Sequence, residues 1–386
     1  MHYQNTIIGK ILTPLNRRKF KRFVDKYNGD FAAKKMTCWE QFIAIFLGQI
    51  GNCSSLREIE STIKFHANEH YHLGLRGNVA RSTLADANET RDWRIYRDIF
   101  FDLIANLNQN EQKQSREMVK IIDSSPIPLN LNLHKWAEET LRIKGIKLHV
   151  VYDLKQEIPT FFDFSGAKTS DVEMGKTIDI QRNVTYVFDR AYLDFNWWYE
   201  INNAGAFFVT RLKKNNAYNE ITEMQATNDI ISSQIISLKN KKTHENVREN
   251  KYYGKPLRRI EVKREGKEAL VLVTNDFKRS DEEIAELYKQ RWQIELFFKW
   301  IKQNLKIKKF LGRSENAIKT QICIAMIGFI LIRLMENLKE FCKKVSPKTL
   351  ITIAKNGLFS RLSMKKPPPR SSCCFKQLCF NLFEFD

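Results

Sequence analysis

The sequence predicts an α/β chain: a small helical domain, a strand-rich core, an all-β insertion within that core, and a long closing helix. Three observations predict it. Residues 1 to about 108 carry apolar positions at helical spacing, broken by Gly and Asn. Near residue 115 the texture changes to short β-branched runs bounded by turn residues. From about 206 to 276 the runs are strand-like, and from Ser280 a long amphipathic helical pattern takes over.

The helical part begins with a basic run, Arg17-Arg18-Lys19-Phe20-Lys21-Arg22, on the first helical pattern. Thr37 is placed to N-cap CWEQFIAIFLGQI, and Ser54-Ser55 to open LREIESTIKFH. Ser82 is placed to cap TLADANETRDW after a turn-prone stretch. Short helices with a basic member fit a helix-turn-helix-like DNA-binding bundle, and equally a packing or dimerisation domain.

In the core, MVKIID, IKLHVVYDL and IPTFFDFSG follow in quick succession and predict an antiparallel meander. VTYVF is a further strand ending at Asp189. Asp194 caps a helix through FNWWYEINNAG, with Gly205 as its stop, and AFFVTRL is the next strand. The insertion holds IISSQIISL, LRRIEVKR and EALVLVTND. Ser280 or Asp281 then caps one helix through EEIAELYKQRWQIELFFKWIKQNL, and helices continue to about 345. This order of elements is that of a ribonuclease H-like catalytic core with an all-β insertion, preceded by a small helical domain. The boundaries are 1–108, 109–345 with the insertion at 206–276, and a tail at 346–386 rich in Pro and Cys and read as disordered.

Lys and Arg number 64 against 44 Asp and Glu, for a net charge of +20 and a pI near 9.5. Such an excess suits a polyanionic partner. The longest apolar run, Ile322 to Ile332, falls short of the ~20 residues a bilayer span needs and ends at Arg333, so it predicts a buried core helix. Seven cysteines without framework spacing suggest a reducing compartment. These features point to a cytoplasmic protein with no membrane partner.

Tyr288, Arg291, Glu295 and Lys302 share a narrow stripe of the long helix, within about 60° at ~100° per residue. Leu287, Ile294, Phe298, Ile301 and Leu305 form the neighbouring apolar stripe. Asp123 ends VKII and Asp189 ends VTYVF, which places each at a sheet edge where it can face a cleft. Either aspartate alone also reads as a turn residue or cap, and the helix stripe alone as an exposed face with i,i+4 pairs. Together, three carboxylates can hold two Mg²⁺ or Mn²⁺ ions about 4 Å apart, an arrangement suited to in-line phosphoryl transfer. Arg291 suits bidentate binding of phosphate.

The spacing Tyr-x2-Arg-x3-Glu-x6-Lys resembles the signature of the IS-four group of insertion-sequence transposases. IIDSSPIPL and VFDRAYLDF resemble that group's two catalytic-Asp regions. TCWEQF, STLADANETRDWRIY and KLHVVYDL resemble its branch with a short N-terminal helical domain. The resemblance covers about residues 5 to 345. It implies a bacterial cut-and-paste DNA transposase. Asp123, Asp189 and Glu295 would be a triad on two Mg²⁺ or Mn²⁺ ions, with Tyr288, Arg291 and Lys302 on the DNA backbone. It also implies a homodimer that synapses two terminal inverted repeats of double-stranded DNA and joins them to target DNA at the nucleoid. Some relatives stack a flipped base on a tryptophan of the insertion. No Trp stands between Trp198 and Trp292 here, which leaves Tyr252 or Tyr253 as stacking candidates. Two rivals remain open from sequence: a metal-dependent endonuclease or resolvase on the same fold, and a non-catalytic DNA-binding regulator. Asp153 and Asp163 rank below Asp123 as catalytic acids, and His134, His149 and Cys373, Cys374, Cys379 lack metal-site spacing.

Overall fold

The computed structural model describes residues 6–111, 118–140, 144–213, 216–224, 229–243, 248–305, 307 and 310–335, with four positions between 349 and 357. The N-terminal part comprises α1 (Ile7–Leu12), α2 (Arg17–Lys26), α3 (Cys38–Ile50), α4 (Leu56–Phe65), α5 (His70–Leu73), α6 (Arg81–Thr90) and α7 (Arg94–Glu111). Thr37 and Glu40 form a reciprocal capping box on α3, satisfying two of the N–H groups a helix start leaves open. Ser55 caps α4 by accepting from the Glu58 N–H. Ser82 does not cap α6. That helix starts two residues earlier than expected, at Arg81, after an extended Ala80 with no side-chain cap bond.

The sheet-forming part continues with β1 (Met118–Pro128), β2 (Glu138–Glu139), β3 (Lys144–Asp153), β4 (Ile158–Gly166), α8 (Asp171–Gly175), β5 (Val184–Phe188), α9 (Phe195–Asn203) and β6 (Phe207–Arg211). β1, β3 and β4 form the expected antiparallel meander, while β5 runs parallel to β1 and β6 parallel to β5. The spatial order β4-β3-β1-β5-β6, with β3 alone reversed, is the ribonuclease H-like topology. Asp194 caps α9, and Gly205 ends it with φ +71°, a left-handed turn that costs glycine no side-chain clash.

The remaining elements are β7 (Tyr218–Met224), β8 (Ile230–Leu238), β9 (Lys242–Thr243), β10 (Arg248–Glu249), β11 (Pro256–Val262), β12 (Leu270–Thr274), α10 (Asp281–Gln290), α11 (Trp292–Asn304) and α12 (Glu315–Met335). Strand β12 adds antiparallel to β6, and β11, β8 and β7 follow, giving one ten-stranded sheet. The β-rich segment therefore extends the core sheet. Strand β6, which the sequence places at the head of the insertion, is a core strand buried on both faces at Phe208 and Val209.

Alternation along the strands divides the interior. Ile121 and Val187 face α10, α11, α12 and the N-terminal helices in one continuous core, whereas Ile122 and Phe188 pack with Trp197 and Trp198 of α9 on the other face. Helix α12 is long and apolar enough to cross a membrane, yet 83% of its most apolar window is buried inside the protein. It packs against α1, α3, α6, α7 and α11, so it is the expected core helix and ties the N-terminal helices to the sheet. The tail from residue 346, with Cys373, Cys374 and Cys379, falls outside the described residues apart from those four positions.

Candidate active site

Strand register brings the two aspartates together. The parallel β1–β5 ladder pairs Ile121 with Val187 and Ile122 with Phe188, so the next residue on each strand is Asp123 and Asp189. Adjacent strands lie about 4.8 Å apart, and side chains alternate between faces. Both carboxylates therefore return to the face of Ile121 and Val187, the face on which Ile294 and Phe298 of α11 pack. Asp123 accepts the Ser124 N–H at 2.8 Å, and Asp189 accepts the Ala191 N–H at 2.7 Å at the head of a 3-10 turn.

The third acid arrives on α11. The expected single helix is interrupted at Arg291, which ends α10 and begins α11. Around it the bonds tighten: Arg291 N–H reaches Tyr288 O at 3.1 Å and Ile294 N–H reaches Arg291 O at 3.3 Å. Glu295 lies one turn beyond. Asp123, Asp189, Glu295, Arg291, Lys299 and Lys302 all line one cleft of about 500 Å³. The Arg291 guanidinium spans the acids, with Nη1 at 3.4 Å from Asp123 Oδ2 and Nη2 at 2.5 Å from Glu295 Oε1. Lys302 donates to Ser125 Oγ at 2.5 Å and to the Pro126 carbonyl at 2.9 Å, which seats its ammonium on the β1 wall.

Electrostatics sets Asp123 apart from an ordinary surface carboxylate. Burial, with the Asp189 and Glu295 charges adding to it, pushes Asp123 up to about 7 against the opposing Ser124 N–H and Arg291. Arg291 is raised. Burial works against its charge, and Glu295, Tyr288 and Asp123 outweigh that cost.

Comparison with known proteins decides the family. The family described as Transposase DDE domain matches residues 114–331, and a domain of unknown function, DUF4372, matches residues 3–76. The chain belongs to the DDE transposase family. A protein of Sinorhizobium fredii named as a transposase, y4zB, is 37% identical over 77% of this chain and 85% of its own length. Proteins named as transposases of the insertion sequence elements IS5377 of Geobacillus stearothermophilus and IS4SA of Synechocystis are 26% and 28% identical. They match 65% and 78% of this chain and 66% and 82% of their own lengths. Among solved structures, a piggyBac transposase synaptic complex with hairpin DNA superposes with a TM-score of 0.49 at 12% identity, over 98% of this chain and 84% of that one.

DDE transposases cut DNA and transfer its strands with divalent metal ions. The donor set of this member fits such ions: three carboxylates from separate elements, hard oxygen donors, line one cleft, and a single guanidinium pairs with two of them. Among the described residues, no three His, Cys, Asp or Glu side chains already stand at the spacing that holds one ion. Arg291 is bound to Asp123 and Glu295 instead.

Other candidates separate clearly in this transposase. Tyr252 is 2% exposed and packs edge-on against Phe208 and Tyr199, so it is a core residue and no platform for an extruded base. Tyr253 is 44% exposed, with Lys241 near its ring. Tyr288 is buried, its ring 5.8 Å from the Arg291 guanidinium, so it backs Arg291 from below the cleft surface. Asp153 is buried and accepts the Lys155 and Gln156 N–H groups, which makes it a turn residue. His134 donates locally through Nδ1–H to the Asn130 carbonyl at 2.8 Å. Sequence reasoning missed Ser125, Lys299 and Gln303 in the cleft wall. Lys299 follows Glu295 by four positions, a helical spacing that marks it out.

Proposed function

We propose that Asp123, Asp189 and Glu295 are the catalytic triad of this transposase and that it excises and reinserts a DNA element by cut-and-paste chemistry. The carrying observation is the convergence of the three acids with Arg291, Lys299 and Lys302 in one cleft. Two Mg²⁺ or Mn²⁺ ions bound there would activate the attacking oxygen and neutralise charge on the leaving one. The chain's own part is to orient and to bind. The β1–β5 register sets Asp123 beside Asp189, and α11 brings Glu295 over them. Arg291, Lys299 and Lys302 supply a cationic wall for the phosphodiester, and Tyr288 supports Arg291.

The remaining assignments in this reading follow the chain. The helical segment to about residue 108, with exposed Arg17, Arg18, Lys21 and Arg22 on α2, contacts double-stranded DNA at the terminal inverted repeats. Residues from 109 to 345 form the catalytic unit, with β7–β12 as its insertion. A homodimer brings two element ends together, in the cytoplasm where the DNA lies.

The test uses end-bearing DNA and pre-cut ends with Mg²⁺. Asp123→Asn, Asp189→Asn and Glu295→Gln are each expected to lower nicking and strand transfer by at least about 10³-fold while DNA binding persists. Full cleavage by any one variant removes that acid from the triad. Cleavage by the wild type without joining of pre-cut ends replaces the transposition reading with an endonuclease.

A further inference from the structure

A second polar cluster lies behind the cleft, on the opposite face of the sheet. Ser124 follows Asp123 on β1, so its side chain points away from the three acids. Its Oγ donates to Asp171 Oδ1 at 2.9 Å. The same carboxylate oxygen receives Lys147 Nζ at 3.3 Å, and Lys147 also donates to the Thr169 carbonyl at 2.7 Å. His149 stands opposite Ser124 in the β1–β3 register, with Nε2 at 2.8 Å from Ser165 Oγ and Nδ1 at 4.0 Å from Asp171. The Lys147 and Asp171 side chains are only 10% and 20% exposed. Removing an ion pair from water costs free energy that an apolar pair of similar volume would not incur, so stability alone does not explain its presence.

The link to the cleft runs through the Ser124 backbone. Asp123 Oδ1 accepts the Ser124 N–H, and that bond favours and orients the charged carboxylate. We infer that Asp171 is a positioning residue for Asp123: by holding the Ser124 hydroxyl, it fixes the N–H that aims the first acid into the cleft. This rests on Asp123 being a metal-holding acid, as proposed above. Groups that orient a metal-binding carboxylate in this way commonly change metal affinity by about 10- to 100-fold when removed.

Mn²⁺ binding to the full chain, followed by electron paramagnetic resonance without DNA, tests the inference. Asp171→Ala and Ser124→Ala are each expected to weaken Mn²⁺ binding by about tenfold, and the double variant no further, because both act through one bond. Asp171→Asn keeps an acceptor oxygen for Ser124 and should bind Mn²⁺ nearly as the wild type does. Metal-free DNA binding should be unchanged in all of them, which separates positioning from general loosening. Unchanged Mn²⁺ affinity in Ser124→Ala overturns the inference, whatever Asp171→Ala does, since a charge acting across the sheet would spare Ser124. If Asp171→Ala does not fold, Ser124→Ala and Asp171→Asn alone decide it. Asp189→Asn serves as control: if it still binds Mn²⁺ normally, the triad assignment itself fails, and the inference falls with it.

Discussion

Arg291 lies 3.4 Å from Asp123, a residue 168 positions earlier in the chain, while its other terminal nitrogen bonds Glu295 one helical turn away. One guanidinium thus neutralises two of the three acids that the cleft assembles. A cation or a phosphate entering the cleft changes what that guanidinium pairs with. On the proposed reading, a metal ion would compete with that guanidinium for the acids and a DNA phosphate would draw it away from them, which would couple the two binding events.

The first prediction follows from that coupling. Arg291→Ala should raise the Mn²⁺ affinity of the DNA-free protein several-fold, because a competing positive charge is gone. It should also weaken DNA binding and reduce the slope of log affinity against log salt by about one. Calorimetric Mn²⁺ titration and a salt series on end-bearing DNA measure the two effects. An unaltered metal affinity would show that the guanidinium does not compete with metal at all.

A buried ion pair anchors the helix that leads into the site. Arg258 on β11 meets Asp281 at the start of α10 at 2.6 Å, both nearly buried, and Ser233 donates to the same carboxylate at 3.1 Å. Asp281→Ala leaves the guanidinium buried without its counter-charge and should cost about 3–5 kcal/mol. Replacing both, as Arg258→Met with Asp281→Leu, should recover most of that. Urea midpoints of the single and double variants check this, and equal loss in both would contradict it.

His149 gives a pH dependence whose sign can be worked out. Burial, helped by Lys147 and opposed by Asp171, pushes its imidazole down to about 4, with Ser165 and Asp163 of β4 facing it. An unfolded chain protonates this histidine near 6.5. Between about pH 6.5 and 4 the unfolded state takes up a proton that the folded state refuses. The contribution is therefore full above pH 6.5 and declines as pH falls to 4, by at most about 3 kcal/mol. His149→Gln should flatten that part of the stability curve, as thermal melts across the range would show.

Gly328 marks where α12 crosses α3. A methyl group there would come within 2.9 Å of the Phe46 ring. Gly328→Val should cost about 1–3 kcal/mol by overpacking. Because α12 also joins the core beneath the sheet, far-ultraviolet signal and tryptophan fluorescence should lose their transitions together. Separate melting of the N-terminal helices would refute a shared core.

The two aspartates were legible because apolar strand runs are written locally, although β1 continues past Asp123 to Pro128 and only Asp189 stands at a strand end. Each follows a β-branched or aromatic run, and the β1–β5 register places them at one level of a parallel pair. Thr37, Ser55, Asp194 and Ser280 were legible for the same reason, since a cap satisfies donors within three residues of itself. The break at Arg291 was not, because no Gly or Pro marks it and the tightened turn leaves the apolar spacing of α10 and α11 nearly intact. Tyr252 sits in an Asn- and Lys-rich stretch that reads as surface, and only contact with Phe208 and Tyr199 buries it.

By itself the amino-acid order determined the alternation of elements, their caps, and the three acids, two that follow apolar strand runs and one on a helix. Tertiary structure alone decided that β12 continues the core sheet from β6. Alternating side chains look the same whether a strand pairs with a core edge or within a sheet of its own, and the open N–H and C=O groups of β6 accept either. It also decided that Arg291 reaches Asp123 and that Asp171 reaches Ser124. Those meetings depend on how α11 and α8 lie across opposite faces of the sheet, a matter of packing between distant segments that local periodicity does not encode.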